Sequence, residues 1–102
     1  MIDFTDIVGF DWDEGNINKN QIKHGVSYKE AEEVFRNEPL IMAEAKNTAN
    51  ENRYQSLGIT NKKELLSVIF TIRKNKIRVI SARNQSRKEK DFYYEKSKEQ
   101  PA

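Results

Sequence analysis

Leu65-Leu66-Ser67-Val68-Ile69-Phe70-Thr71-Ile72, followed by Arg73-Lys74-Asn75-Lys76 and then by Ile77-Arg78-Val79-Ile80-Ser81-Ala82-Arg83, is the stretch on which the fold turns. In the first run Leu66, Val68, Phe70 and Ile72 share one face, and Leu65, Ser67, Ile69 and Thr71 make a less apolar one. That two-residue alternation is the mark of a strand packed on one side. The polar quartet reads as a hairpin turn, and the second run as the returning antiparallel partner. Alternation along that partner puts Arg78, Ile80 and Ala82 on one side and Ile77, Val79, Ser81 and Arg83 on the other, unless a bulge or twist intervenes.

Working outward, Arg53 to Ile59 and Leu40 to Ala43 read as two further strands, with a polar loop, Lys46 to Asn50, between them. Ile7 to Phe10 is a short β-prone run. Asp13 is placed to cap a helix, with Glu14 in its first turn, running to about His24 and stopped by Gly25. Ser27 and Glu30 form a capping box, with Val26 and Ala31 at staple spacing. The helix they start carries an apolar stripe of Ala31, Val34 and Phe35 and ends before Pro39. Ser86 or Arg87 to about Tyr94 reads as a last helix lying across the sheet. The order β-α-α-β-β-β-β-α predicts an α+β fold: two N-terminal helices packed on a mainly antiparallel sheet, a C-terminal helix, and the opposite face of the sheet left free. Residues 1–95 are expected to form a single domain, with 96–102 a flexible tail.

The chain has 102 residues, 36% of them hydrophobic and 33% charged, so a thin core must sit under a densely charged surface. It has no run of 18 or more apolar residues, and its opening ten residues show no basic leader, so no membrane span or signal peptide is expected and the cytoplasm is the expected location. Absence of cysteine excludes disulfides, thiolate nucleophiles and cysteine zinc sites. The net charge of +2 conceals an asymmetry. From Arg73 to Lys90 there are eight basic residues and one acid, a net of +7; the other ten basic and fifteen acidic residues come to −5. Such a block fits either a polyanion footprint or a merely solvated face.

His24 is the chain's one histidine. It suits a helix C-terminus through the dipole, and equally a proton carrier near neutral pH. One histidine without cysteine makes a poor metal site, so neither metal nor cofactor is expected. An arginine that interrupts an apolar strand needs a carboxylate or phosphate partner, which for Arg53, Arg78, Arg83 and Arg87 means either a phosphate-bearing ligand or a structural pair with Glu51, Glu89 or Asp91. Trp12 fits core packing or a base stack, Tyr93 and Tyr94 fit anchors of the last helix, and Glu32 and Glu33 fit a solvated helix face. No glycine-rich phosphate loop or nucleophile elbow is present.

Phe10-Asp11-Trp12-Asp13, Asn16, Lys23-His24-Gly25-Val26-Ser27, Ala31 and Phe35, Glu51 and Arg53, Leu65 to Thr71, Arg78-Val79-Ile80-Ser81-Ala82-Arg83, and then Arg87, Glu89 and Tyr93 together resemble the BrnT toxin family over about residues 8–95. The resemblance implies a RelE-like fold, a ribonuclease toxin of a type II toxin-antitoxin system that arrests growth, and a BrnA-type antitoxin. It further implies that operator DNA is bound only through the antitoxin, in a toxin-antitoxin heterotetramer. Metal-independent RNA cleavage needs a base for the ribose 2′-OH, cations at the phosphate and an acid for the leaving oxygen. His24 is the candidate acid or base, and Arg53, Arg78 and Arg83 are the candidates to stabilise the phosphate. Lys23, Arg87 and Lys88 would attract RNA. Two other readings use the same residues: an inactive antitoxin-binding or co-repressor subunit, and a non-catalytic basic nucleic-acid-binding module.

Overall fold

In the computed structural model, which describes residues 6–43 and 52–99, the elements follow in the expected order. They are β1 (Gly9–Phe10), α1 (Lys19–His24), α2 (Tyr28–Arg36), β2 (Leu40–Ala43), β3 (Tyr54–Ile59), β4 (Leu65–Arg73), β5 (Lys76–Asn84) and α3 (Arg87–Glu99). The loop expected from Lys46 to Asn50, and Glu51, lie outside the described residues. The strands form one sheet in the order β1-β5-β4-β3-β2, antiparallel throughout except where β1 runs parallel to β5. Lys74 and Asn75 close the β4–β5 hairpin with φ of 51° and 63°. Positive φ at both central residues gives the turn the twist that a two-residue hairpin requires.

Leu66, Val68 and Phe70 face inward as their alternation predicts, and pack with Val26, Ala31, Val34, Ile77, Val79 and Ala82. Phe35 meets Phe70 edge-on at 4.9 Å and Phe10 at 5.7 Å, tying α2 and β1 to the same core. The predicted capping box is formed: Ser27 Oγ accepts from Glu30 N (3.2 Å), and Ser27 N donates to Glu30 Oε1 (2.9 Å). Gly58 of β3 lies directly beneath α2, where an added Cβ would come within 2.7 Å of Val34 Cγ1 and 3.3 Å of Pro39 Cβ. Val34 is fully buried and β-branched, so it has no room to yield. Gly58→Ala is expected to destabilise the fold by about 1–3 kcal/mol, read as a lower urea midpoint with an unchanged slope.

The helices depart from expectation in three ways. First, α1 starts at Lys19 rather than after Asp13. Asp13 and Asn16 do bond each other's backbone N–H (3.0 and 2.9 Å), but Gly15 and a run of poor helix formers, Asn16 and Asn18, leave the next residues as turns. Second, α1 does not pack on the sheet face; it runs along the open edge of β5. Since β1 covers only Lys76 and Ile77, backbone groups beyond them need other partners. Asn16 Nδ2 donates to Val79 O (3.1 Å), Lys19 Nζ donates to Ile80 O (3.0 Å), and Ala82 N donates to Asn20 Oδ1 (3.0 Å). Third, α3 runs on past Tyr94 to Glu99, through residues assigned above to a tail, and its first turns lie over the face expected to be free. Leu57, which points to that face, is buried.

Two side-chain assignments also change. Glu32 is not a solvated helix residue, for its Oε2 accepts from Trp12 Nε1 (2.8 Å), and Glu33 Oε1 accepts from Asn61 N (3.0 Å). Trp12 is thereby fixed as packing, edge-on to Tyr28 at 5.8 Å.

Candidate active site

The position of the arginines depends on one irregularity in β5. Ile69 pairs with Ser81 while its neighbour Phe70 pairs with Val79, so Ile80 is an extra residue, a bulge. A bulge reverses the alternation beyond it. Val79 and Ala82 both point into the core, and Arg78 and Arg83 therefore emerge on the same, outer face. The simple parity that separated them is overturned. Across the hairpin Arg78 stands opposite Thr71, and Arg83 opposite Ser67.

Arg53 joins them from the other side. The Tyr54 ring lies tilted against Phe70 in the core (5.6 Å), and strand alternation carried one residue back from it gives Arg53 the outward side, that of Thr71 and Arg78. Thr71 Oγ1 donates to Asn52 O (2.8 Å), which fixes that end of β3 against β4. The outer face thus carries Arg53, Arg78 and Arg83 around Thr71, Ile69, Ser81 and Ser67.

Each β5 arginine is matched by carboxylates. Arg78, its side chain only 20% exposed, donates through Nη2 to Asp13 Oδ2 (2.8 Å) and has Nη1 3.6 Å from Asp11 Oδ1. This hydrogen bond holds the Asp13 carboxyl below its ordinary range. Arg83 donates through Nη1 and Nη2 to the two oxygens of Glu89 (2.8 and 3.0 Å), the planar two-bond pairing that guanidinium favours. Glu89 also accepts from Ser86 N (2.8 Å) and Gln55 Nε2 (2.7 Å), and its own N–H donates to Ser86 Oγ (3.2 Å). One carboxylate therefore caps α3, locks Arg83 and fastens the helix to β3. Arg83 above all, with these N–H donors, brings the Glu89 carboxyl down from 4.5 to about 2.

Because the folded state holds Glu89 ionised more strongly than the unfolded chain does, the stabilisation is complete above pH 4.5 and is lost as pH falls toward 2. With allowance for solvent around the partly exposed Arg83, the parent protein is expected to lose about 1–2 kcal/mol more than Glu89→Gln over that window. Urea midpoints at neutral pH and at low pH measure the difference; equal losses in the two proteins would count against the pair.

The other candidates are more scattered. His24 ends α1, half-buried, with Gly25 in the left-handed conformation behind it (φ 71°). Among the described residues no hydrogen bond or ion pair joins it to Arg53, Arg78 or Arg83. Lys23 and Arg87 are exposed. Lys88 borders a groove of about 340 Å³ between α3 and the sheet, lined also by Met42, Gln55, Leu57, Glu89 and Phe92. Sequence reading missed the carboxylates Asp11 and Asp13 as partners of Arg78, and Gln55 altogether. The Ser86-x-x-Glu89 spacing, a capping-box pattern, was the available signal for the α3 start and for where Glu89 would sit.

Comparison with known proteins adds three findings. The family model described as the ribonuclease toxin BrnT of type II toxin-antitoxin systems matches residues 12–89. The fold is similar to the crystal structure of the Brucella abortus ribonuclease toxin BrnT, with a TM-score of 0.56 at 24% identity, covering 78% of this chain and 99% of that one. No curated protein sequence matches.

Proposed function

Because the chain belongs to the BrnT family of ribonuclease toxins of type II toxin-antitoxin systems, we propose that it is a RelE-like endoribonuclease that cuts RNA without a metal on the outer face of its sheet. The observation that carries this reading is the Ile80 bulge, which gathers Arg78 and Arg83 on the face that Arg53 shares. Guanidinium groups converging on one surface suit a phosphate whose charge grows as the reaction proceeds. The ribose 2′-oxygen loses its proton to a base, forms a bond to phosphorus, and the 5′-oxygen departs with a proton from an acid. His24 is the proton carrier in this scheme, with bound RNA spanning the distance between it and the arginines. Lys23, Arg87 and Lys88 add attraction for RNA at either end. The chain's single histidine and lack of cysteine favour chemistry run by protons and fixed cations.

A type II toxin has an antitoxin partner. We take this one to be BrnA-type, acting in the cytoplasm, covering the basic outer face and carrying the operator-binding function of a heterotetramer. Incubation of the purified, antitoxin-free protein with labelled RNA in EDTA tests the enzyme reading directly. Cleavage by the parent that disappears in His24→Ala and Arg83→Ala supports it, and RNA left intact by the parent overturns it. One observation favours the antitoxin-binding or co-repressor subunit instead: Arg78 and Arg83 already hold carboxylates, which a phosphate has to displace. That reading expects antitoxin binding without products. A non-catalytic nucleic-acid-binding module expects salt-sensitive RNA binding without products.

A further inference from the structure

The outer face does not end at Arg78. Register places Arg73 opposite Lys76 and Thr71 opposite Arg78, with the inward pair Ile72 and Ile77 between them. Arg73 and Lys76 therefore point the same way as Arg78, and Lys76 lies about 7 Å from it along β5. Together with Lys74 of the turn and Asp11 they line a recess of about 340 Å³ at the hairpin tip.

This recess is held in shape by the backbone around it. Val8 N donates to Asn75 O (2.8 Å) and Asp11 N donates to Ile77 O (2.8 Å), so β1 fastens both the turn and the base of the hairpin. The backbone that carries Lys74 and Lys76 is thus set before any ligand arrives. The acid within the recess, Asp11, leans toward Arg78 at 3.6 Å, and Asp13 bonds the same guanidinium. Among the described residues neither Lys74 nor Lys76 has a carboxylate partner, and both are exposed. Lys74 and Lys76 therefore stand unmatched among the described residues, beside an acid already shared with Arg78.

We propose that this recess is a second phosphate-binding subsite, which holds the backbone of single-stranded RNA on the side of Arg78 away from Arg83. The proposal rests on the ribonuclease reading and extends it. The RNA runs along β5 from the hairpin tip toward the start of α3, a track of roughly 20 Å. Lys74 and Lys76 contact phosphates only and read no base, so they set affinity and register without sequence preference.

The test is a salt titration of binding, with a fluorescent single-stranded oligoribonucleotide, of the full-length protein and of a Lys74→Gln, Lys76→Gln double variant. For single strands the slope of log K against log salt changes by about 0.7 for each phosphate contact. The proposal expects the double variant to bind more weakly at low salt and its slope to be shallower by about 0.7–1.4. Both side chains are exposed, and matching thermal melts will show that the variant is folded. An unchanged slope while the parent binds and cleaves RNA overturns the subsite and leaves the enzyme reading standing. Antitoxin binding lost at an unchanged RNA slope likewise overturns it, making the recess a protein contact. If the parent binds no RNA at any salt concentration, both the subsite and the ribonuclease reading fall.

Discussion

Arg78→Ala is expected to lower the rate of RNA cleavage by about 10²–10³-fold, the cost of removing one fixed donor aimed at developing charge. Its guanidinium is mostly covered, held between Asp11 and Asp13, and stands on the strand at the middle of the basic face. Alanine removes the cation and also leaves two carboxylates facing the phosphate, so binding weakens with catalysis. Arg78→Lys separates the two effects, since it keeps the charge while losing the planar fork, and its rate should fall between parent and alanine variant. Single-turnover cleavage of a short RNA in EDTA, with a thermal melt beside it, measures both. A folded Arg78→Ala protein that cleaves at the parent rate would remove Arg78 from the proposed site.

Phe70→Ala is expected to cost about 3–5 kcal/mol, against a total stability of about 5–15 kcal/mol for a domain of this size. Phe70 is fully buried at the centre of the sheet, edge-on to Phe35 of α2 and tilted against Tyr54 of β3. Truncation opens a cavity where helix, β3 and β4 meet, and Val68 and Val79 are too short to fill it. The urea midpoint should drop by about 1 M or more, and the melting temperature by more than about 12 °C. Phe92→Ala is the control, because that ring is 39% exposed at the rim of the α3 groove and its loss should cost far less. Similar losses in the two variants would show that the core is not centred on Phe70.

Much of this architecture is legible without coordinates because it follows from local chemistry. Two-residue alternation in Leu65 to Ile72 gives β4 its inner face, and Ser27 with Glu30 gives α2 its start. Local chemistry also misleads where two devices share a motif. Asp13 with Asn16 satisfies the backbone at a turn as a helix cap does, yet Gly15 and the asparagines that follow delay the helix. Glu32 carries the pattern of a surface residue, and only Trp12, twenty positions earlier in the chain, makes it a buried-side partner.

By itself the sequence determined the family, the order of elements, the inward residues of β4 and the block of positive charge between Arg73 and Lys90. All of these depend on periodicity or on motifs of a few adjacent residues. Tertiary structure decided which arginines share a face, that α1 guards the β5 edge, and that Arg83 is locked by Glu89, which Gln55 holds in turn. The physical reason is that a bulge arises from the pairing of two strands: one extra residue at Ile80, invisible in the composition of β5, turns Arg83 to the side of Arg78. Open backbone groups on β5 and the partners of each guanidinium are likewise set by whatever the rest of the chain brings alongside.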